Sequence, residues 1–371
     1  MKRFLQLPID WVLLSIPVLL TVVGIVTIYT ITLNHHQATL AVDQAVFFAL
    51  GLAAMLFAMF SDYRWLNHGS RLLYLFGLVL LIPLLPFLAP KLPFVLKIFG
   101  AYRWLDFGFF QLQPAEVFKL IAAIAGAAFL APAIGNLKWK KLVGYLILLG
   151  LPVGLVLVQP DLGTTSVIFA VFLGIFLAAQ PSKRTIVGAV LLLAVGILIL
   201  WLSLQPYQRN RVETFLNPNL DPQGEGYNVR QALIAVGSGG LMGRGFGQGS
   251  QTVLNFLPVA HADFIFAGYA EATGFVGSAV MVGLYLILLQ RIISIARIST
   301  DPFGRLLAVG IGAKMFFQTT VHIGMNLGIL PVTGIPLPFM SYGGTSLIID
   351  FATIGVLQSI YIRHKKTLFV R

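Results

Sequence analysis

The sequence predicts an all-α polytopic membrane protein: a single transmembrane domain over residues 1–371, with about ten transmembrane helices and a large extracytoplasmic loop (about 205–262) between the seventh and the eighth. Three observations predict it. Of the 371 residues, 58% are hydrophobic and only 10% charged, where a soluble domain carries roughly 25% charged residues. Apolar runs of about 20 residues, enough to cross a bilayer, recur along the chain. Short clusters of Lys and Arg separate those runs and fall mostly on one side. The same clustering sets nucleic acid aside as a partner despite a net charge of +12, because no single basic stripe forms. The chain has no cysteine, which excludes disulfides and thiolate metal sites.

The ten spans read as 11–33, 42–60, 71–90, 114–131, 141–158, 160–180, 184–204, 263–291, 303–327 and 345–363. The first is too long for a signal-peptide core and is kept as a spanning helix. With the N-terminus in the cytoplasm, the inner segments collect most of the 25 basic residues, from Lys2 and Arg3 to Lys365 and Lys366, and the C-terminus is cytoplasmic too. Two outer segments keep positive charge: 91–113, with Lys91, Lys97 and Arg103, and 205–262, with Arg209, Arg211, Arg230 and Arg244. The first reads as a stretch that dips into the membrane or lies along it. Pro114 suits the first turn of the helix that follows, where its missing N–H costs nothing.

This topology gathers polar groups at the outer ends of the spans. Glu116 and Lys119, three residues apart, share a helix face and read either as a structural ion pair or as part of a site. Asp161 stands at the mouth of the sixth span, as a helix cap or as a ligand group. Asp263 stands where the chain re-enters the membrane, with His261 beside it and Ser341 before the tenth span. An ionisable residue at that boundary is costly to place and is a functional candidate. It reads either as the helix cap or as a general base whose pKa is set by its half-buried position. Glu271 lies eight residues deeper, about 12 Å along a helix. It pairs with Lys314 or with backbone, and Asp350 and His322 read similarly.

Carboxylates beside Arg and Lys at headgroup depth suit an anionic lipid that bears phosphate or sugar, with Arg103, Arg209 and Arg211 as phosphate-gripping candidates. Desolvated carboxylates act as bases or hold a divalent cation, here Mg²⁺ or Mn²⁺. The run Gly237 to Gly249 contains neither a Walker loop nor a dinucleotide fingerprint. It reads as a flexible or tightly turning loop, or as a close backbone approach to a ligand. No S-x-x-K occurs, so a transpeptidase site is absent.

Several segments together resemble the SEDS family (shape, elongation, division and sporulation), closer to its RodA branch than to its FtsW branch. They are IDWVLL (9–14), RWLDFGFFQLQPAEVFK (103–119), QPDLGT (159–164), the stretch 215–251, FLPVAHADFIFAGYAEATG (256–274) and PFMSYGGTS (338–346). The resemblance covers nearly the whole chain. It implies a peptidoglycan glycosyltransferase of cell elongation in the bacterial cytoplasmic membrane. Such an enzyme polymerises lipid II on the outer face by inverting transfer from the undecaprenyl-pyrophosphate-linked disaccharide-pentapeptide. It also implies a class B penicillin-binding protein as partner. The family's essential acid falls on Asp263 and its Glu and Lys on Glu116 and Lys119, while Arg103 and Asp161 match further motif positions. Ala262 and the pair Ala272-Thr273 depart from the family pattern beside the key residues. The rival readings are a lipid II flippase and a non-catalytic scaffold for wall enzymes.

Overall fold

A computed structural model describes residues 8–33, 39–98, 100–108, 110–203 and 224–368. The helices are α1 (Trp11–Thr32), α2 (Thr39–Phe60), α3 (Arg64–His68), α4 (Ser70–Leu81), α5 (Pro114–Leu130), α6 (Trp139–Val158), α7 (Leu162–Ala178), α8 (Lys183–Ser203), α9 (Glu225–Ser238), α10 (Ser250–Val253), α11 (Ile265–Ile298), α12 (Pro302–Asn326) and α13 (Gly344–Leu368). Seven of them are long and apolar enough to cross a membrane: α1, α2, α5, α6, α11, α12 and α13. Shorter apolar helices lie at Ser70–Leu84 and Leu162–Ala178. Large apolar side chains are exposed around the bundle, among them Val42, Phe57, Leu72, Leu191 and Leu286. In water such a surface would aggregate; against acyl chains it is the solvated face.

α5 is the hub. It packs against α4, α7 and α12, and thirteen of its residues are buried. Its inner faces are rich in alanine (Ala122, Ala123, Ala125, Ala127), which lets neighbouring backbones approach closely. α2 lies along α13, and α11 along α12. Asp10 caps α1 by accepting from Leu13 N at 3.1 Å, and its other oxygen takes Arg291 of α11, so one carboxylate fixes α1 to α11.

Three expectations need correction. The third predicted span, 71–90, is not one helix: α4 ends at Leu81, and Pro83, Pro86 and Pro90 break the rest into 3₁₀ turns. The segment 91–113 forms a three-stranded antiparallel sheet, β1 (Val95–Ile98), β2 (Ala101–Asp106) and β3 (Gln111–Leu112), with its own small core of Leu84, Ala89, Val95 and Leu105. The eighth span continues to Ile298, and Gly274 (φ 68) interrupts its helical backbone.

The described part of the predicted loop, from residue 224, is not free either. α9 packs on α11, and the glycine-rich turn after it lies against the α11 backbone. Arg244 N donates to Glu271 O at 3.0 Å, Gly245 N to Ala272 O at 2.9 Å, and Phe275 N to Gly240 O at 2.9 Å. A Cβ on Gly243, which has φ 82, would overlap the Ala272 carbonyl, so the close approach itself requires glycine there. The chain thus dips beside α11 to the level of Gly274 and returns. The backbone there is satisfied in part by its bonds to α11, while the side chains of Leu241, Met242 and Phe246 stay exposed.

Candidate active site

Asp263 lies in the turn just before α11, and part of its surface is open. The cap position of α11 is Phe264, without a side-chain cap bond. The turn is fixed from three sides. Ala262 N and Asp263 N both donate to Val259 O, at 3.0 and 3.1 Å. Asn326, at the end of α12, donates from Nδ2 to Asp263 O at 3.1 Å and accepts from Ala267 N at 3.1 Å. Ser341 donates from Oγ to Ala262 O at 2.7 Å, while Leu337 N donates to the same Oγ at 2.9 Å. Val259 is held at φ 50, where a β-branched residue is strained. The loop 331–341 covers the other side: a Cβ on Gly334 would lie 3.9 Å from both Asp263 carboxylate oxygens.

His261 and Tyr342 extend the turn outward. Tyr342 N donates to His261 O at 2.9 Å, and the two rings meet edge to face at 5.7 Å. Burial lowers the His261 pKa from its ordinary 6.5, so the neutral ring is favoured. The Tyr342 hydroxyl is raised above 10.0, by burial first and then by the negative charge of Asp43. Gln44 of α2 ties this loop down, donating to Ser341 O at 3.0 Å and accepting from Gly343 N at 3.2 Å.

Glu116 and Lys119 form a buried ion pair at 2.6 Å, and Lys119 Nζ has no hydrogen-bond partner of good geometry among the described residues. Their helix begins at the Asp263 end, because Gln113 N donates to Thr345 Oγ1 at 3.1 Å. α12 ends there too, so the two helices run antiparallel. Ala123 of α5 touches Gly310 of α12. Moving one turn toward the Asp263 end on each helix, back to Lys119 on α5 and forward to Lys314 on α12, puts the two lysines level. Lys314 bonds Asp350 at 2.5 Å, also buried. Two ion pairs therefore share one layer below the Asp263 turn. A carboxylate at a wet rim, above buried cations and amides, suits proton abstraction from a hydroxyl next to an anionic group.

The cell cycle protein family FtsW/RodA/SpoVE matches residues 5–366 of the chain. The chain belongs to the FtsW/RodA/SpoVE family. Among similar proteins, the peptidoglycan glycosyltransferase MrdB of Escherichia coli (strain K12) is 40% identical over 321 residues, covering 86% of this chain and 85% of its own length. The FtsW of Geobacter metallireducens is 34% identical over 367 residues, 96% of each chain. The crystal structure of the Thermus thermophilus rod shape determining protein RodA superposes with a TM-score of 0.71 and 28% identity, over 96% of this chain and 98% of that one. A chain from a peptidoglycan synthase complex that coordinates polymerization and crosslinking superposes with a TM-score of 0.79 and 29% identity, over 97% and 99%.

In this FtsW/RodA/SpoVE member the other predicted site residues have structural partners. Asp161 caps α7, accepting from Thr164 N and Oγ1, both at 2.9 Å. Arg103 donates to the carbonyls of Gln159 and Pro160, closing the end of α6. Ser341 is buried and braces the acid's turn rather than facing outward. Arg209 and Arg211 lie outside the described residues. Glu271 and Lys314 do not pair. Glu271 accepts from Gln251 N at 2.9 Å, Thr252 N at 3.1 Å, Thr252 Oγ1 at 2.9 Å and Ser238 Oγ at 3.3 Å, so it holds the re-entrant segment in place. Asn326 and Gln44 were missed by sequence reasoning. For Asn326 a signal existed: Lys314, Gln318, His322 and Asn326 repeat every four residues in an apolar span, a polar stripe on one face. The Gln318 amide and His322 Nε2 on that stripe have no protein partner among the described residues.

Proposed function

We infer that this chain is a peptidoglycan glycosyltransferase that polymerises lipid II during cell elongation, with Asp263 as its general base. The reading rests on one observation above the rest. Within a family whose relatives carry that activity in their names, the single partly open carboxylate of the predicted set sits in a turn braced by three separate elements. Asp263 takes the proton of the 4-hydroxyl on one lipid-linked saccharide as that oxygen attacks the anomeric carbon of the other. Undecaprenyl-linked diphosphate departs with the bonding pair, and the α-link becomes β in one displacement. A good leaving group needs no protein acid, so one carboxylate suffices where an inverting glycosidase uses two.

The Asp263 end faces outward and the termini lie in the cytoplasm, in the cytoplasmic membrane. This follows the distribution of basic residues. Among the described residues no three His, Cys, Asp or Glu converge as an all-protein metal cage; Mg²⁺ commonly binds through one or two carboxylates together with substrate phosphates. A divalent cation would arrive with the substrate diphosphate, and no step above is routed through one. A class B penicillin-binding protein supplies the crosslinking that this chain, without S-x-x-K, lacks; the similarity to a chain of a synthase complex supports that pairing.

The test feeds labelled lipid II to the purified full-length chain with its partner's transpeptidase blocked. Wild type should yield polymer, and a folded Asp263→Asn variant should lose about 10²- to 10⁴-fold in rate. Polymer from folded Asp263→Asn at the wild-type rate removes the base assignment. Transbilayer movement without polymer would make the chain a flippase, and neither result would leave a scaffold.

A further inference from the structure

Four half-buried rings run in file away from the Asp263 turn. His261 meets Tyr342 at 5.7 Å, Tyr342 meets Phe47 of α2 at 6.5 Å, and Phe47 meets Phe110, beside β3, at 6.1 Å. The first link is two residues from the acid. The file joins four parts of the chain that share no local sequence, and three hydrogen bonds tie them together. Tyr342 N donates to His261 O; Gly343 N donates to Gln44 Oε1, on the same helix as Phe47; Thr345 Oγ1 donates to Gln111 O at 3.1 Å, next to Phe110. Gly344 lets the file close up: a Cβ there would stand 2.9 Å from the Phe47 ring. Asp43 is exposed on α2, near enough for its charge to act on the Tyr342 hydroxyl.

Aromatic rings beside an exposed carboxylate make a surface suited to carbohydrate. Pyranose rings offer apolar C–H faces to an aromatic side chain and hydroxyls to a carboxylate. The ring-to-ring steps approximate the repeat of successive sugars in a β-linked glycan. A row of rings fits an extended chain better than a single saccharide, which would need one ring. Lipid-facing aromatics at a membrane surface are distributed around a bundle, whereas these are linked ring to ring from beside the acid.

We propose that His261, Tyr342, Phe47 and Phe110 form a track that holds the growing glycan strand as it leaves Asp263, so that they set product length rather than the rate of the single linkage. The proposal rests on the glycosyltransferase reading. A strand held by several weak contacts slides by one repeat without letting go, and each ring removed raises the chance of release per step.

The experiment measures product-length distribution and initial rate of linkage from labelled lipid II, using the full-length chain with its partner's transpeptidase blocked. Tyr342→Ala and Phe47→Ala should shorten the mean product about fivefold each, the equivalent of roughly 1 kcal/mol of holding per ring. Tyr342→Phe should keep wild-type length, and Gly344→Ala, which displaces Phe47, should shorten it. Phe110→Ala, outside the helical bundle, gives the same reading if a bundle variant does not fold. Unchanged lengths in folded Phe47→Ala and Phe110→Ala overturn the track. So does an equal loss of initial rate and length, which would place the rings in the packing of the acid's turn. No polymer from wild type would instead overturn the glycosyltransferase reading on which the track rests.

Discussion

Asn326 holds Asp263 by its main chain. The Asn326 Nδ2 donates to Asp263 O at 3.1 Å while Oδ1 accepts from Ala267 N at 3.1 Å, so one amide clamps the turn to the first turn of α11. Asn326→Leu leaves both backbone groups unpaired, at about 1–3 kcal/mol each, and loosens the aim of the acid. The expected result is a fall of about tenfold in kcat with little change in KM. Asn326→Asp keeps the acceptor for Ala267 N but sets a buried carboxylate oxygen against the Asp263 and His322 carbonyls, so it should fall at least as far. Steady-state kinetics on lipid II of both variants decides it; an equal rise in KM would mean a distorted binding site instead.

The Lys314–Asp350 pair, buried at 2.5 Å, predicts an asymmetric response to mutation. Lys314→Met leaves Asp350 as an uncompensated charge and should destabilise by about 3–5 kcal/mol. Adding Asp350→Leu should restore most of that loss, because the pair as a whole repays little of its desolvation. Thermal unfolding of the two single variants and the double variant in detergent reads the cycle.

Glu271 accepts four hydrogen bonds from residues 238 to 252, two of them backbone N–H groups. Glu271→Gln replaces a charged acceptor by a neutral one and introduces donors that face donors. We expect a loss of about 1.5–3 kcal/mol, felt as faster amide exchange across 249–252 while α12 and α13 stay protected. Uniform loss of protection would count against a local role.

The depressed pKa of His261 makes stability depend on pH in a stated direction. The folded chain prefers the neutral ring, so the unfolded chain binds more protons near its own pKa, and stability rises with pH there. The contribution is complete above about 6.5 and is lost as the pH falls below that value toward the folded pKa. The unfolding midpoint should therefore drop on acidification through this range, and His261→Gln should flatten that part of the profile. A variant with an unchanged slope would assign the effect to another group.

The sequence by itself determined the fold class, most of the long helices and the candidate acid. Long apolar runs admit one answer in a membrane, because a backbone without water must satisfy itself as helix. A carboxylate at a span boundary is visible in one dimension because its cost is local. Asp161 was also legible as a cap, since a cap bonds residues three positions away. Only the tertiary structure decided what depends on partners far along the chain. Lys314 chose Asp350 over Glu271, and Glu271 turned to the glycine-rich segment. Asn326 reached Asp263, and Tyr342 met both His261 and Phe47. A buried polar group takes whichever partner the packing brings within about 3 Å, and packing between helices is set by side-chain shape, which spacing along one helix does not encode.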